Sequence, residues 1–320
     1  MKRILTAVAL TATLIITGLF GAASSAQAKV LSYGQGVYLL NRPIVLQDWQ
    51  ILRGAGVGKT ILKAAPGYKG MLIVNAGVGE ANPVHHPGVE IHDLSVDGSG
   101  TASRGIYLKA VDDLVVKNVE VYNTTGNAIE HRGIQNSPYT MRQTWANVTG
   151  RDSGGWCVYN GLRTRKVTYT DIRATGCRAG GMTIDHSEAS AVGIIASRNG
   201  GNGVWIRNVY SINLTNVVTN GNGGNGMFVQ GAVYSLGTNW TAMNNKVADV
   251  RFSNSAPQPS FNYGVTRNTM IAGLTAGHTD VCQFGNYDNG DETPLVVDSG
   301  VDVQIVGQRL PSAVGCSVES

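Results

Sequence analysis

Six short segments recur through the middle of the chain, and their spacing constrains the fold more than any other feature. They are Gly105-Ile-Tyr-Leu-Lys109, Asn127-Ala-Ile-Glu-His131, Gly155-Trp-Cys-Val-Tyr159, Gly181-Met-Thr-Ile-Asp185, Gly203-Val-Trp-Ile-Arg207 and Gly226-Met-Phe-Val-Gln230, with starts 22, 28, 26, 22 and 23 residues apart. A period of this size marks a solenoid or array, because one repeat is too short to bury its own apolar face. Between them runs a second series, Leu114–Val121, Val167–Ile172, Val192–Ala196 and Ile212–Val218. It alternates with period two, is rich in β-branched residues and is bounded by Gly and Asn, as strands are. A repeat of two or three short strands is too small for a propeller blade and lacks leucine-rich spacing. It fits one turn of a parallel β-helix, with successive turns about 4.8 Å apart. The expected fold class is all-β, a parallel β-helix solenoid. Turn asparagines such as Asn220, Asn222 and Asn225 are then expected in amide ladders or in left-handed conformations.

Composition agrees with a turn-rich solenoid. Gly contributes 42 of 320 residues and charged residues only 14%, against about 25% in ordinary soluble domains. Low charge argues against a disordered polyelectrolyte, and the lack of basic blocks argues against a nucleic-acid binder.

Ile51-Leu-Arg-Gly-Ala-Gly-Val-Gly-Lys-Thr-Ile-Leu62 resembles the opening coil of the right-handed parallel β-helix, or pectin-lyase-like, superfamily, and Val89-Glu-Ile-His-Asp-Leu-Ser-Val-Asp-Gly98 resembles its next rung. The resemblance covers residues 31–280 and implies a right-handed solenoid. Final strands and a cap are expected over 256–320, within a single domain spanning 29–320. The superfamily holds polysaccharide lyases, glycoside hydrolases, uronate epimerases, phage tailspikes and adhesins, so it specifies fold better than activity. Gly54–Thr60 also suggests a phosphate loop, but the position that motif requires as glycine is Arg53. A glycine-rich turn is the stronger reading.

Met1-Lys2-Arg3, the apolar run from Ile4 to Ala23 and Ala26-Gln27-Ala28 together read as a secretory signal peptide cleaved after Ala28. The alternative is an uncleaved membrane anchor. Removing Lys2 and Arg3 lowers the net charge from +4 to +2. A secreted monomer, without nucleic acid and off the membrane after cleavage, is expected. Cys157, Cys177, Cys282 and Cys316 all lie in the mature part, and an even count in an exported chain favours disulfides. Four cysteines allow three pairings, and sequence neighbours suggest Cys157–Cys177 and Cys282–Cys316.

Equivalent positions of stacked strands form columns. Aligning Leu108, Ile129, Val158, Ile184, Ile206 and Val229 as inward residues places Lys109, Glu130, Tyr159, Asp185, Arg207 and Gln230 outward, edged by His131 and His186. Asn127 is the irregular point of this register. A carboxylate, phenol, imidazole and guanidinium gathered on one face suit acid–base chemistry on a sugar. Glu130, Tyr159, Asp185, His186 and Arg207 are the candidate catalytic residues. Lys109, His131, Trp205 and Phe228 are candidate substrate contacts. Outward polar residues also occur on any solenoid, but a chain this poor in charge has few to cluster by accident.

Thr183-Ile-Asp-His186 resembles the Trp-Ile-Asp-His segment of one pectate lyase family, whose Asp binds Ca²⁺. The leading Trp is absent here, so no cofactor is assigned, with Ca²⁺ the alternative. The polygalacturonase signatures are missing. Asp112-Asp113 and Gly277-His278 are read as structural, as are His85, His86, His92 and Asp93, and the Asn-x-Thr sequons at Asn123, Asn147, Asn213 and Asn239. The expected function is an exported lyase or C5-epimerase acting on a uronic-acid polysaccharide. An inverting glycoside hydrolase and a non-enzymatic carbohydrate-binding or adhesion protein are the alternatives.

Overall fold

The computed structural model describes residues 28–80, 84–134, 139–185, 188–232 and 234–253, together with the backbone of strands Thr269–Ala276, Cys282–Phe284, Thr293–Val297 and Val303–Val306. Strands form a 13-stranded sheet and an 11-stranded sheet, joined by tight corners. All strand pairs in both are parallel, and each strand pairs with its equivalent one turn away. The path through the middle shows the unit. Short strand Trp156–Gly161 leads into long strand Thr164–Thr175, then Gly180–Asp185 into Glu188–Ser197, and Val204–Arg207 into Ser211–Asn220. The chain is a right-handed parallel β-helix. Among the described residues its only helical element is the short turn Ala76–Gly79.

The long strands are bent at one repeated position. Asp93, Asn118, Asn147, Asp171, Asn216 and Asn239 sit there with φ between 51° and 62°. Asn and Asp tolerate this left-handed conformation better than other residues with a Cβ. Their side chains also bond up the column. Asn118 Nδ2 donates to Asp93 Oδ1 at 2.8 Å, Asn147 Nδ2 to Asn118 Oδ1 at 3.1 Å, and Asn239 Nδ2 to Asn216 Oδ1 at 3.2 Å. Asn123 is also left-handed, whereas Asn213 lies within a strand. The sequons are thus ladder and strand residues. A second ladder is buried at the corner before the short strands. Asn199 Nδ2 donates to Asn222 Oδ1 at 2.9 Å, and Asn222 Nδ2 to Asn245 Oδ1 at 2.8 Å.

Inward residues stack into continuous columns. Ile106, Ile129, Val158, Met182, Val204, Met227 and Val250 occupy one column and are fully buried. Burying a side chain of this size contributes about 1.5–3 kcal/mol. Cys157 and Cys177 form a disulfide with Cα atoms 5.5 Å apart, joining a short strand to the corner that opens the next. Cys316 and the side chain of Cys282 lie outside the described residues, so the second expected pair does too, as does the cap. The final four strands do extend both sheets. Gly54–Thr60 is a solenoid turn. A Cβ on Gly54 would lie 2.2 Å from the Asp93 carbonyl oxygen, and Thr60 Oγ1 accepts from Ala55 N and donates to Gly34 O.

Candidate active site on the short-strand sheet

The outward face of the short strands carries two rows of side chains, one strand period apart. Tyr107, Glu130, Tyr159, Thr183, Trp205, Phe228 and Arg251 share one position. Two residues further on, Lys109 pairs with Arg132, Arg132 with Gly161, and Asp185 with Arg207 and then Gln230. The expected single column is therefore corrected. Glu130 and Tyr159 belong to the first row, and Lys109, Asp185, Arg207 and Gln230 to the second. Both rows face outward because a shift of two preserves the face. The six residues thus share one surface without being equivalent.

The cause of the slip lies inside. In the true register Leu108, His131, Asn160, Ile184, Ile206 and Val229 form one inward column. Two of its six members are polar, so an alignment guided by apolar residues passes over them. His131 is fully buried, which corrects its expected role as a substrate contact. Its Nε2 accepts from Val111 N at 3.3 Å, leaving Nδ1 to donate to Asn160 Oδ1 at 3.1 Å. Asn160 Nδ2 in turn donates to Gln143 Oε1 at 2.8 Å and to the Tyr169 hydroxyl oxygen at 2.7 Å. Burial drives the His131 pKa down to about 4, so the ring enters the core neutral.

On the outer face, Arg207 Nη2 meets Asp185 Oδ2 at 2.7 Å and the guanidinium lies 4.7 Å over the Trp205 ring. The Tyr159 hydroxyl donates to the same Asp185 oxygen at 3.4 Å. Gly161 makes this possible, since a Cβ there would lie 2.9 Å from Asp185 Cβ and 3.0 Å from the Tyr159 ring. Burial and then the Asp185 charge push the Tyr159 phenol above its ordinary value, so it keeps its proton at neutral pH. Burial works against the charged form of Arg207, but the Asp185 carboxylate more than offsets it and holds the guanidinium above its usual value.

One turn earlier, Glu130 is fully buried between two arginines. Arg104 Nε is 2.5 Å from Oε2, Arg132 Nε pairs with Oε1, and Asn127 Nδ2 donates to Oε2 at 2.8 Å. The arginines in turn lie over aromatic rings, Arg104 on Tyr107 at 4.9 Å and Arg132 on Tyr159 at 5.0 Å. At the other end, Trp156, Trp205 and Phe228 form an aromatic strip with ring centroids 5.9 and 6.0 Å apart. Trp156 packs flat on Gly180, where any Cβ would strike its ring.

Sequence reasoning missed Tyr107, Arg104, Arg132, Arg251 and Trp156. The available signal was the small residue opening each short strand. Counted from Gly105, Ala128, Cys157, Gly181, Gly203 and Gly226, the register is the observed one. His186 lies outside the described residues. The described His and Asp residues read as structural are held by neighbouring charged side chains. His85 meets Asp112 at 2.9 Å, His86 lies between Asp48 and Glu80, and His92 meets Asp93 at 2.8 Å. Asp112 also accepts from Met141 N, and Asp113 pairs with Arg142. Among the described residues, no group of three or more His, Cys, Asp or Glu is placed to hold a metal ion.

No protein-family model matches the chain, and no curated protein matches its sequence. Solved structures share its fold. The A-module of the Azotobacter vinelandii mannuronan C-5 epimerase AlgE4 is similar at TM-score 0.62 and 18% identity, over 92% of this chain and 91% of that one. The periplasmic alginate epimerase AlgG is similar at TM-score 0.52 and 12% identity, over 85% and 78%. An N-terminal fragment of bacteriophage Phi29 gene product 12 is similar at TM-score 0.59 and 12% identity, over 86% and 60%. At these identities the likeness establishes the architecture, a right-handed parallel β-helix.

Proposed function

We propose that the chain is an exported enzyme that removes the C5 proton of a uronic acid unit within a polysaccharide, as a C5-epimerase or a lyase. The observation that carries this reading is the Tyr159–Asp185–Arg207 contact on an outward face that also holds Lys109, Arg132 and a row of aromatic rings. Both reactions begin alike. A cation neutralises the substrate carboxylate, which acidifies the C5 proton, and a base removes that proton. Arg207 and Arg132 are the neutralising groups, with bidentate geometry suited to a carboxylate, and Lys109 extends the cationic row. Trp205 and Phe228 offer flat faces to sugar rings.

Tyr159 keeps its proton and so serves as the acid. In epimerisation the phenol returns a proton to C5 from the opposite face. In elimination it protonates the departing glycosidic oxygen as the C4–C5 double bond forms. The base is assigned to His186, which follows Asp185 in sequence. Asp185 orients Tyr159 and Arg207. Glu130, enclosed by Arg104 and Arg132, positions those guanidiniums rather than reacting. Arg207 engages Asp185 Oδ2, and no step is routed through a metal.

The hydrolase alternative fits less well. Glu130 and Asp185 stand two rungs and two residues apart, about 12 Å by strand and residue spacing, beyond the roughly 6.5–9.5 Å of inverting pairs. That one fold neighbour is by name a mannuronan C-5 epimerase and another a periplasmic alginate epimerase supports the substrate class and export. So do the leader-like N-terminus and the Cys157–Cys177 disulfide.

The test is a panel of acidic polysaccharides treated with the wild type, Tyr159→Phe and Asp185→Asn. Epimerised units or unsaturated ends are expected with the wild type, with turnover lowered about 10²–10⁴-fold in either variant and a chelator without effect. New reducing ends without unsaturation would indicate hydrolysis, and binding without product would indicate an adhesin.

A further inference from the structure

The first coil of the described solenoid shows a group of apolar side chains to solvent. It comprises strands Lys29–Ser32, Gly36–Leu40 and Ile44–Leu46, each paired on one side only among the described residues. Several of its exposed strand residues are apolar. Val30 is 47% exposed, Val37 58%, Leu39 61% and Val45 44%, and Trp49 at the following turn is 46% exposed. In the coils above, the positions equivalent to Leu39 carry Lys63 and then Asp97, which form an ion pair.

The charge of this end is equally one-sided. Residues 29–79 contain six cations, Lys29, Arg42, Arg53, Lys59, Lys63 and Lys69, and one acid, Asp48. The chain holds 25 Lys and Arg and 21 Asp and Glu, two of the cations lying in residues 1–28, which leaves 17 cations against 20 acids over residues 80–320. Residues 29–79 thus carry a net charge of +5 and residues 80–320 a net charge of −3. Lys29, Arg42, Arg53, Lys59 and Lys69 are all exposed.

We infer that the N-terminal end of the described solenoid, once residues 1–28 are removed as proposed above, docks on an anionic lipid surface. An apolar collar ringed by cations fits the headgroup boundary of such a membrane, where apolar side chains enter the interface and cations meet lipid phosphates. Unpaired strand edges cannot enter hydrocarbon, but the headgroup layer supplies acceptors and water for them. A second copy would bring the same cations face to face. An acidic polymer would answer the charge and leave the collar uncovered. The face bearing Tyr159 and Asp185 would then run upward from the membrane. This inference is independent of the reaction assigned to that face.

The experiment is sedimentation of the exported, processed chain with vesicles of phosphatidylcholine alone or mixed with phosphatidylglycerol. Binding is expected to the mixed vesicles only and to weaken with salt. Arg42→Glu with Lys59→Glu should weaken it at least tenfold, and Val37→Ser with Leu39→Ser should do so as well, circular dichroism confirming that both fold. Any of four results would overturn the inference: no binding, equal binding to neutral vesicles, unchanged binding by both double variants, or a self-association that Leu39→Ser abolishes.

Discussion

His131 shows how a single side chain links the interior to the chemistry outside. It follows Glu130 in the same strand, Ile129–Arg132, so the ring points into the core while the carboxylate points to the opposite side, between Arg104 and Arg132. Its folded pKa of about 4 lies below the ordinary 6.5. Between those values the unfolded chain binds a proton that the folded chain refuses, so stability falls as pH drops from 6.5 towards 4. The full difference is about 3 kcal/mol at 1.36 kcal/mol per unit. His86 titrates in the opposite sense. The Asp48 and Glu80 carboxylates outweigh its burial and raise its pKa, so its contribution is present below 6.5 and is lost as pH rises through the raised value. Denaturant melts of wild type and His131→Gln from pH 7 to pH 4 should separate the two effects. The wild type should lose stability more steeply. Parallel curves would mean that His131 is not held neutral.

At the scale of the strand and corner, most of the design was legible because it repeats. The period, the β-branched alternation and the asparagine-rich turns each follow from one coil stacking on the next, and the disulfide follows from cysteines in neighbouring repeats. The register of the short strands was not legible from apolar residues alone. His131 and Asn160 occupy inward positions and satisfy each other there, which hydrophobic patterning reads as a break. Arg104 and Arg132 were missed for a related reason, since their importance comes from Glu130, whose burial no local pattern announces. The buried corner ladder gives a direct check on stacking energetics. Asn222 donates to Ala196 O and Asn245 Oδ1 and accepts from the backbone and side chain of Asn199. Asn222→Ala should cost about 2–4 kcal/mol, since it leaves several buried groups without partners. An unchanged melting midpoint would show that the ladder is not stabilising.

At the scale of the whole molecule, the solenoid sets Tyr107, Tyr159, Trp205 and Phe228 along one axis, with guanidiniums lying over the first three rings. A polymer lying along that axis meets several rungs at once. The functional assignment turns on what happens at one carbon of that polymer. Epimerisation and elimination both break the C5–H bond, and hydrolysis and simple binding do not. The most direct measurement is nuclear magnetic resonance of polyuronates incubated with the protein in deuterium oxide. Wild type should place deuterium at C5 of epimerised units or generate the C4–C5 double bond, and Tyr159→Phe should slow either outcome about 10²-fold or more. Chain cleavage with C5 protium fully retained and no unsaturation, or an unaltered polymer across the whole panel, would contradict the account.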